Sequence, residues 1–487
     1  MPPPSRSAND RPGHLSAQAS LVLAGTLLAV AWGALAFGAV YRWAYVPLAI
    51  LCACVGLFGL ATGKRSIEDA RWVMFPIAGI GVVGAIQLLP LPGSWLTLVS
   101  PGTVAFLRRY DLAYAFALDP NTNTPVAVGH AISVAPLLTL RALALLAAPL
   151  LLFVGLCRTL SRTAARRLAS GVVFIGCLVA VFGIGQKALL GDHVFGGMRI
   201  YGFWRPDSLL TTPFGPFVNR NHFAGWMLMG TPLALGLAAG GFVRALSTLR
   251  GKGARAWLVW CSDPDGGLTL MYFVAAILMT LSLFMTGSRS GIGCFVIVAG
   301  GMLLAARRLG SARTMIGLTI VATLTLGLVL QWAGPDAALE RFVRASQSTS
   351  LRLDIWRASL AAFRQFPVLG SGLDSFGTVM LVFQAGIRDL RYVEAHNDYL
   401  QLLVEGGLVT FGLTILAIAA VIRGARLRFR ADDDGLDGHW VRVGAAIGLV
   451  AIGLQSFVEF SLQMPGNAAL FTVLLALVLY VPTPIRT

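Results

Sequence analysis

The sequence predicts an all-α polytopic membrane protein with about twelve transmembrane helices and one large outer loop containing short amphipathic helices. Three observations carry this. The chain of 487 residues is 56% hydrophobic and 12% charged, with a mean hydropathy of +0.75, whereas soluble domains carry about 25% charged residues. Apolar runs of span length recur along it. Short basic segments fall between those runs on alternate sides.

The runs lie at 17–39, 44–62, 72–90, 136–157, 168–190, 222–243, 268–286, 291–306, 314–333, 400–422, 440–460 and 467–481. Under strict alternation Lys64/Arg65, Arg158–Arg167, Arg244–Arg255, Arg307/Arg308/Arg313 and Arg423–Arg430 share one side. Lysine and arginine are retained on the cytoplasmic side, so both termini are expected there. The expected division is a polar, disordered cytoplasmic segment 1–16, nine spans over 17–333 with outer loops 91–135 and 191–221, a large outer loop 334–399, three spans over 400–481, and a cytoplasmic tail 482–487. The first run shows no small-residue cleavage site and reads as a retained span rather than a signal peptide. Asp432–Asp434 reads as a solvated inner loop.

The formal charge of +16 would suggest a nucleic-acid partner in a soluble protein. In this chain much of it is topogenic charge, and no nucleic-acid partner is expected. Cys52, Cys54, Cys157, Cys177, Cys261 and Cys294 fall in spans or on the reducing side, so no disulfide is expected. Cys52 and Cys54 have no nearby His or Asp, which argues against zinc.

The outer loops should be poor in arginine, yet they hold Arg199, Arg205, Arg220, Arg289, Arg341, Arg344, Arg352, Arg357, Arg364, Arg388 and Arg391. Arginine stays charged and grips phosphate with two prongs. The cluster points to an anionic ligand presented from the bilayer; the plainer alternative is lipid headgroups or loop solvation. Two of these arginines sit in sharper settings. In PFGPFVNRNHFAG (Pro213–Gly225), Asn219, Arg220, Asn221 and His222 open a span. Asn219 or Asn221 suits the cap, and the helix N-terminus favours an anion. In TGSRSG (Thr286–Gly291), Ser288, Arg289 and Ser290 stand between glycines in a tight turn, with an arginine at membrane depth.

Within the large loop, Leu353–Phe366 reads as an amphipathic helix with Arg352 at its start, ended by Pro367. His396, in Glu394-Ala395-His396-Asn397-Asp398-Tyr399, enters a helix with Asn397 or Asp398 near the cap. A histidine titrates near neutrality and suits a general base, with Glu394 or Asp398 to orient it. Glu459 lies at the outer end of a span, placed to pair with an arginine or to help hold an acceptor. His130 and His193 read as incidental. No G-x-x-x-x-G-K-[ST] loop, H-E-x-x-H or outer Asp-x-Asp pair occurs, so metal-independent chemistry without a cofactor is expected.

Four stretches resemble the bacterial O-antigen ligase and polymerase superfamily (Wzy_C type): GPFVNRNHFAG (Gly215–Gly225), TGSRSG, the loop with Arg352, PVLGSGLDSF and HNDYLQLLVEGGL, and FVEFSLQMPGNA (Phe457–Ala468). His396 and Gly407 reproduce the H-x10-G spacing of the ligases. The resemblance implies an architecture like other multi-span lipid-sugar glycosyltransferases and a cytoplasmic (inner) membrane location, with the site on the periplasmic face. It implies an undecaprenyl-diphosphate-linked glycan as donor, and a glycan or lipid A-core as acceptor. Carried across, Arg220 and Arg289 bind the donor diphosphate, Arg352 assists, and His396 is the base. The ligases tend to show R-x3-L, whereas Trp356 follows Arg352 here; ligase, polymerase and protein-directed transferase therefore stay open. A transporter of the same lipid-linked glycan would also explain the arginines, but it calls for charges within the spans and internal symmetry. Only Arg141 fits that demand, and no repeat is visible.

Overall fold

The structure, a computed structural model, describes residues 15–117, 129–190, 199–204, 206, 212–308, 345–384, 391–431 and 435–482. The helices in order are α1 (Ala17–Leu35), α2 (Arg42–Thr62), α3 (Glu68–Gln87), α4 (Gly93–Val99), α5 (Pro101–Tyr110), α6 (Leu112–Ala115), α7 (Pro136–Thr159), α8 (Arg162–Leu190), α9 (Arg220–Leu249), α10 (Ala254–Ser262), α11 (Pro264–Met285) and α12 (Arg289–Arg308). They continue with α13 (Ala345–Gln365), α14 (Phe376–Phe383), α15 (Asp398–Ala431), α16 (Gly435–Gln455) and α17 (Pro465–Leu479). Among the described residues the one sheet is a two-residue antiparallel pair, β1 (Pro90–Leu91) with β2 (His130–Ala131).

The protein is an all-α polytopic membrane protein. Eight described helices are long and apolar enough to cross a membrane, and Arg289–Met302 and Pro465–Leu479 are shorter apolar helices. The expected span 440–460 is α16, set back to Gly435–Gln455 and outside those eight. The expected span 314–333 lies outside the described residues, as do Asp432–Asp434, His193, Arg205, Arg341, Arg344 and Arg388.

Helix α9 is the centre of the bundle: 78% of its apolar window is buried. It packs against α8, α11, α12, α16 and α17. Its crossing with α16 depends on absent side chains, because a Cβ on Gly236 would sit 2.4 Å from Trp440 O and one on Gly444 2.4 Å from Pro232 O. Small residues at such crossings let backbones approach and gain dispersion contacts that lipid cannot replace.

Helices α3 and α15 run antiparallel and mark the two ends of the bundle. At one end Arg428 pairs with Asp69 at 2.7 Å, close to where Arg65 N donates to Arg158 O (3.1 Å) and Arg158 Nε to Gly63 O (3.0 Å). Three of the basic segments expected on one side meet here. At the other end Gln87 Nε2 donates to Glu405 O at 2.8 Å.

That second end is where α15 breaks. Gly407 has φ +62° inside the helix, so the turn loses its own ladder and its backbone groups need other partners. The segment after Pro367 supplies them. Leu408 N donates to Pro367 O (2.9 Å), Ser371 N to Val404 O (3.0 Å) and Gly372 N to Glu405 O (3.0 Å). A Cβ on Gly407 would lie 2.2 Å from Val368 O, which explains why glycine stands at this position, with ten residues between it and His396. The large loop is thereby stitched to a span rather than floating above it.

Helix α13 starts at Ala345, earlier than the apolar pattern suggested, and ends before Pro367 as expected. Arg352 is therefore two turns inside the helix, not at its start. Its apolar face (Ile355, Ala358, Ala362, Phe366) packs with Phe106, Phe376, Met380 and Ala395 in a satellite core. The amphipathic stripe serves the protein interior.

Candidate active site

Three helix starts and the side of a fourth helix converge on one buried carboxylate. Glu459 follows α16, is fully buried, and receives Asn221 Nδ2 at 2.8 Å, Ser290 Oγ at 3.4 Å, an Arg352 guanidinium N–H, and His396 Nδ1 at 3.4 Å. Burial acts to raise its pKa, but the His396 hydrogen bond, the Arg352 charge and the neighbouring histidines outweigh it and hold the carboxyl below its ordinary range. Glu459 is thus an anion at neutral pH.

Each ligand of that carboxylate is placed by local chemistry. Asn219 caps α9, its Oδ1 accepting from Asn221 N at 2.8 Å, so the asparagine amide of Asn221 is left for Glu459. In the 286–291 turn Gly287 takes φ +60°. Ser288 Oγ accepts from Gly291 N at 3.2 Å and meets Ser290 Oγ at 3.2 Å. Asn397 caps α15 through Leu400 N at 3.0 Å.

His396 itself has φ +50°, a left-handed conformation uncommon for any residue but glycine. Its neighbours hold it there. Ala395 N donates to Gln401 Oε1 (2.9 Å), Trp356 Nε1 to Ala395 O (3.1 Å) and Asp398 N to Ser456 O (2.9 Å). Backbone strain of this kind, over-determined by surrounding bonds, is found where a side chain must be aimed. Trp356, standing where R-x3-L has leucine, works as one of these anchors. The imidazole rests edge-on against Phe460 at 4.9 Å, and His222 packs on the same ring at 4.6 Å.

The expected partners of His396 were Glu394 or Asp398, and neither fills that role. Because the left-handed turn swings the ring toward α16, Glu394 Oε2 instead accepts from Gln401 Nε2 (2.8 Å) and Asp398 Oδ1 from Gln463 Nε2 (2.9 Å). Gln401 also donates to Glu405 Oε1 (3.1 Å) and Gln463 Oε1 (2.9 Å). Gln401, Glu405 and Gln463 were missed as site residues; for Gln401 and Glu405, polar side chains at i and i+4 in an apolar helix were the available signal.

The remaining arginines divide. Arg289 is exposed at the start of α12. Arg220, half-buried at the start of α9, lines a small cavity apart from Glu459. Arg357 pairs with Asp354 at 3.2 Å on the surface, an exposed i,i+3 pair of small energetic weight. Arg141, a charged residue within a span, donates to Asp374 at 2.6 Å. His130 Nδ1 lies 2.7 Å from Ala131 O, away from the site.

Burial pushes the Glu394 carboxyl up from 4.5 to about 7, with the Gln401 hydrogen bond opposing and the Asp374 and Asp398 charges adding. Its folded pKa lies above its unfolded one, so the fold binds the proton more tightly. The resulting stability is full below the unfolded value and is lost as pH rises through about 7. Glu394→Gln should therefore unfold at a higher temperature than wild type at pH 8 and at a similar one at pH 5, followed by tryptophan fluorescence in detergent. An equal offset at both pH values would show that the carboxyl's charge is irrelevant.

Residues 274–415 match the sequence model of the O-antigen ligase family. The match supports membership of that superfamily and contains Arg289, Arg352 and His396; Arg220 and Glu459 lie outside it and are brought to it by the fold. An uncharacterized protein of Haemophilus influenzae is 29% identical over 172 residues, 32% of this chain. The match spans 43% of that relative's length.

Proposed function

We propose that this protein is a glycosyltransferase of the O-antigen ligase type, moving a glycan from an undecaprenyl-diphosphate-linked donor to an acceptor hydroxyl at the periplasmic face of the inner membrane. The observation that carries the reading is the His396–Glu459–Arg352 constellation, a base, its anionic partner and a cation meeting at one end of a membrane bundle.

An ionised carboxylate only accepts hydrogen bonds, so the proton between His396 and Glu459 resides on Nδ1. Nε2 then carries the lone pair. It takes the proton of the acceptor hydroxyl as that oxygen attacks the anomeric carbon. The bond from that carbon to the diphosphate oxygen breaks, and the diphosphate leaves with the electron pair. Arg220, Arg289 and Arg352 stabilise the charge that develops on it, the part a divalent metal plays elsewhere. One base and no covalent intermediate give inversion at the anomeric carbon. A polymerase of the same superfamily would use the same machinery with a second glycan as acceptor.

The test is reconstitution of the purified full chain in liposomes with an undecaprenyl-diphosphate-linked glycan and a glycan or lipid A-core acceptor. Product is expected to form with EDTA present and without nucleotide. Absence of transfer, or its loss on chelation with rescue by Mg²⁺, would overturn the mechanism.

A further inference from the structure

We propose that one phosphate of the donor diphosphate is held in a cavity between α8, the 212–220 segment and the end of α11, gripped by Lys187 together with Arg220. The proposal rests on the glycosyltransferase reading and adds to it a residue that no motif marked.

The cavity has a volume of about 60 Å³ and is lined by Gln186, Lys187, Thr212, Arg220, Met285 and Thr286, with a glycine on either side. A buried water needs roughly 10–15 Å³ on this measure, so the space takes four to six waters or, as closely, the five heavy atoms of one phosphate group. It does not take the sugar or the prenyl chain. The lining supplies two cations, Lys187 and Arg220, and the Thr212 hydroxyl toward an anionic oxygen cluster, while Thr286 Oγ1 donates to Leu283 O at 2.6 Å and Gln186 Nε2 to Arg199 O at 3.1 Å.

Lys187 is built into position. It lies in the last turn of α8, and its Nζ donates to Met285 O at 2.8 Å, at the end of α11. That bond pins a long flexible side chain to the wall of the cavity, so less rotamer entropy is lost when an anion arrives. Arg220 is fixed from behind by its backbone, N to Thr212 O at 2.8 Å.

The cavity also stands where the reaction requires it. Arg220 adjoins Asn221, and Thr286 belongs to the turn of Ser290; Asn221 and Ser290 are both ligands of Glu459. Two of the three segments that wall the cavity thus lead directly into residues that hold the base's partner. Arg352 is paired with Glu459 and does not line the cavity, so Lys187 adds a cation to the expected arginines.

The experiment uses the full chain in lipid nanodiscs and measures binding of undecaprenyl diphosphate, with undecaprenol and phosphatidylglycerol as comparison lipids. Lys187→Gln should weaken undecaprenyl diphosphate roughly ten- to a hundredfold, the weight of one to two charge-assisted hydrogen bonds, and leave undecaprenol and phosphatidylglycerol unchanged. Lys187→Arg should retain most of the affinity. Because Lys187 also bonds Met285 O, a second variant guards against a folding defect. Thr212→Leu adds bulk at the rim of the cavity, keeps both cations and the Arg220 backbone bond, and should lose affinity similarly. Wild-type affinity for undecaprenyl diphosphate in both Lys187→Gln and Thr212→Leu overturns the cavity assignment; if glycan transfer persists in them, the glycosyltransferase reading stands without it. Phosphatidylglycerol displacing undecaprenyl diphosphate at equal concentration assigns the cavity to bulk lipid headgroups and overturns the proposal likewise.

Discussion

His396→Ala is expected to cut glycan transfer by roughly 10²–10⁴-fold, the usual weight of a general base, while undecaprenyl diphosphate binds nearly as in wild type. The imidazole touches Glu459 and Phe460, whereas the backbone around it is tied down independently by Gln401, Trp356 and Ser456. Removing the ring should leave the site's frame standing. The left-handed φ of +50° complicates alanine, which dislikes that region as much as most residues do. His396→Asn answers the difficulty, since asparagine enters it more readily and has no lone pair basic enough to take a hydroxyl proton. Both variants should fail alike in turnover. Arg289→Ala, measured beside them, should instead lose donor affinity, because an exposed guanidinium at a helix start is placed to meet phosphate and not to move protons. Near-normal turnover in His396→Asn would reduce the histidine to a structural element.

What was legible in the sequence was local. A cap needs only its own helix, so position narrowed the caps to Asn219 or Asn221 and to Asn397 or Asp398, of which the structure uses Asn219 and Asn397; the tight turn at Gly287 followed from a glycine between two apolar runs. Spans were readable because hydrocarbon demands long apolar helices, though α15 runs on to Ala431, past the apolar stretch, since its arginines and leucines are good helix formers once in water. The loop 91–135 was read without structure, but the Pro at 101 and Asp111 start α5 and α6 in it. The centre of the site was not local. Glu459 stands 63 residues from His396, 107 from Arg352, 169 from Ser290 and 238 from Asn221. Pairing at such separations is decided by how α9, α12, α13 and α16 pack, which no pattern in one sequence encodes. A carboxylate beside His396 in the chain was the natural candidate for its partner. The chain's left-handed turn at His396 aimed the ring at one far away in sequence instead.

Glu459→Gln should lower turnover on the order of 10²–10⁴-fold without weakening donor binding, and the reason lies in one hydrogen atom. The substitution is nearly isosteric and keeps an oxygen for Asn221. The carboxylate, which only accepts, becomes an amide that also donates. With the amide N–H facing Nδ1, the imidazole is driven to carry its proton on Nε2, the nitrogen that must be bare to accept one from the substrate. The pH profile should lose the limb that belongs to the base. Arg352, released from its counter-charge, stays available to the donor, so affinity for undecaprenyl diphosphate should hold or rise. A merely structural role would instead lower the unfolding temperature and harm binding and turnover together. The double variant His396→Ala/Glu459→Gln separates the cases most sharply. If Glu459 acts through His396, the second change costs almost nothing once the imidazole is gone, because residues that work as one unit are not additive. Multiplying losses would mean that the carboxylate acts on substrate by itself, and the assignment of Glu459 as the group that orients the base would fall.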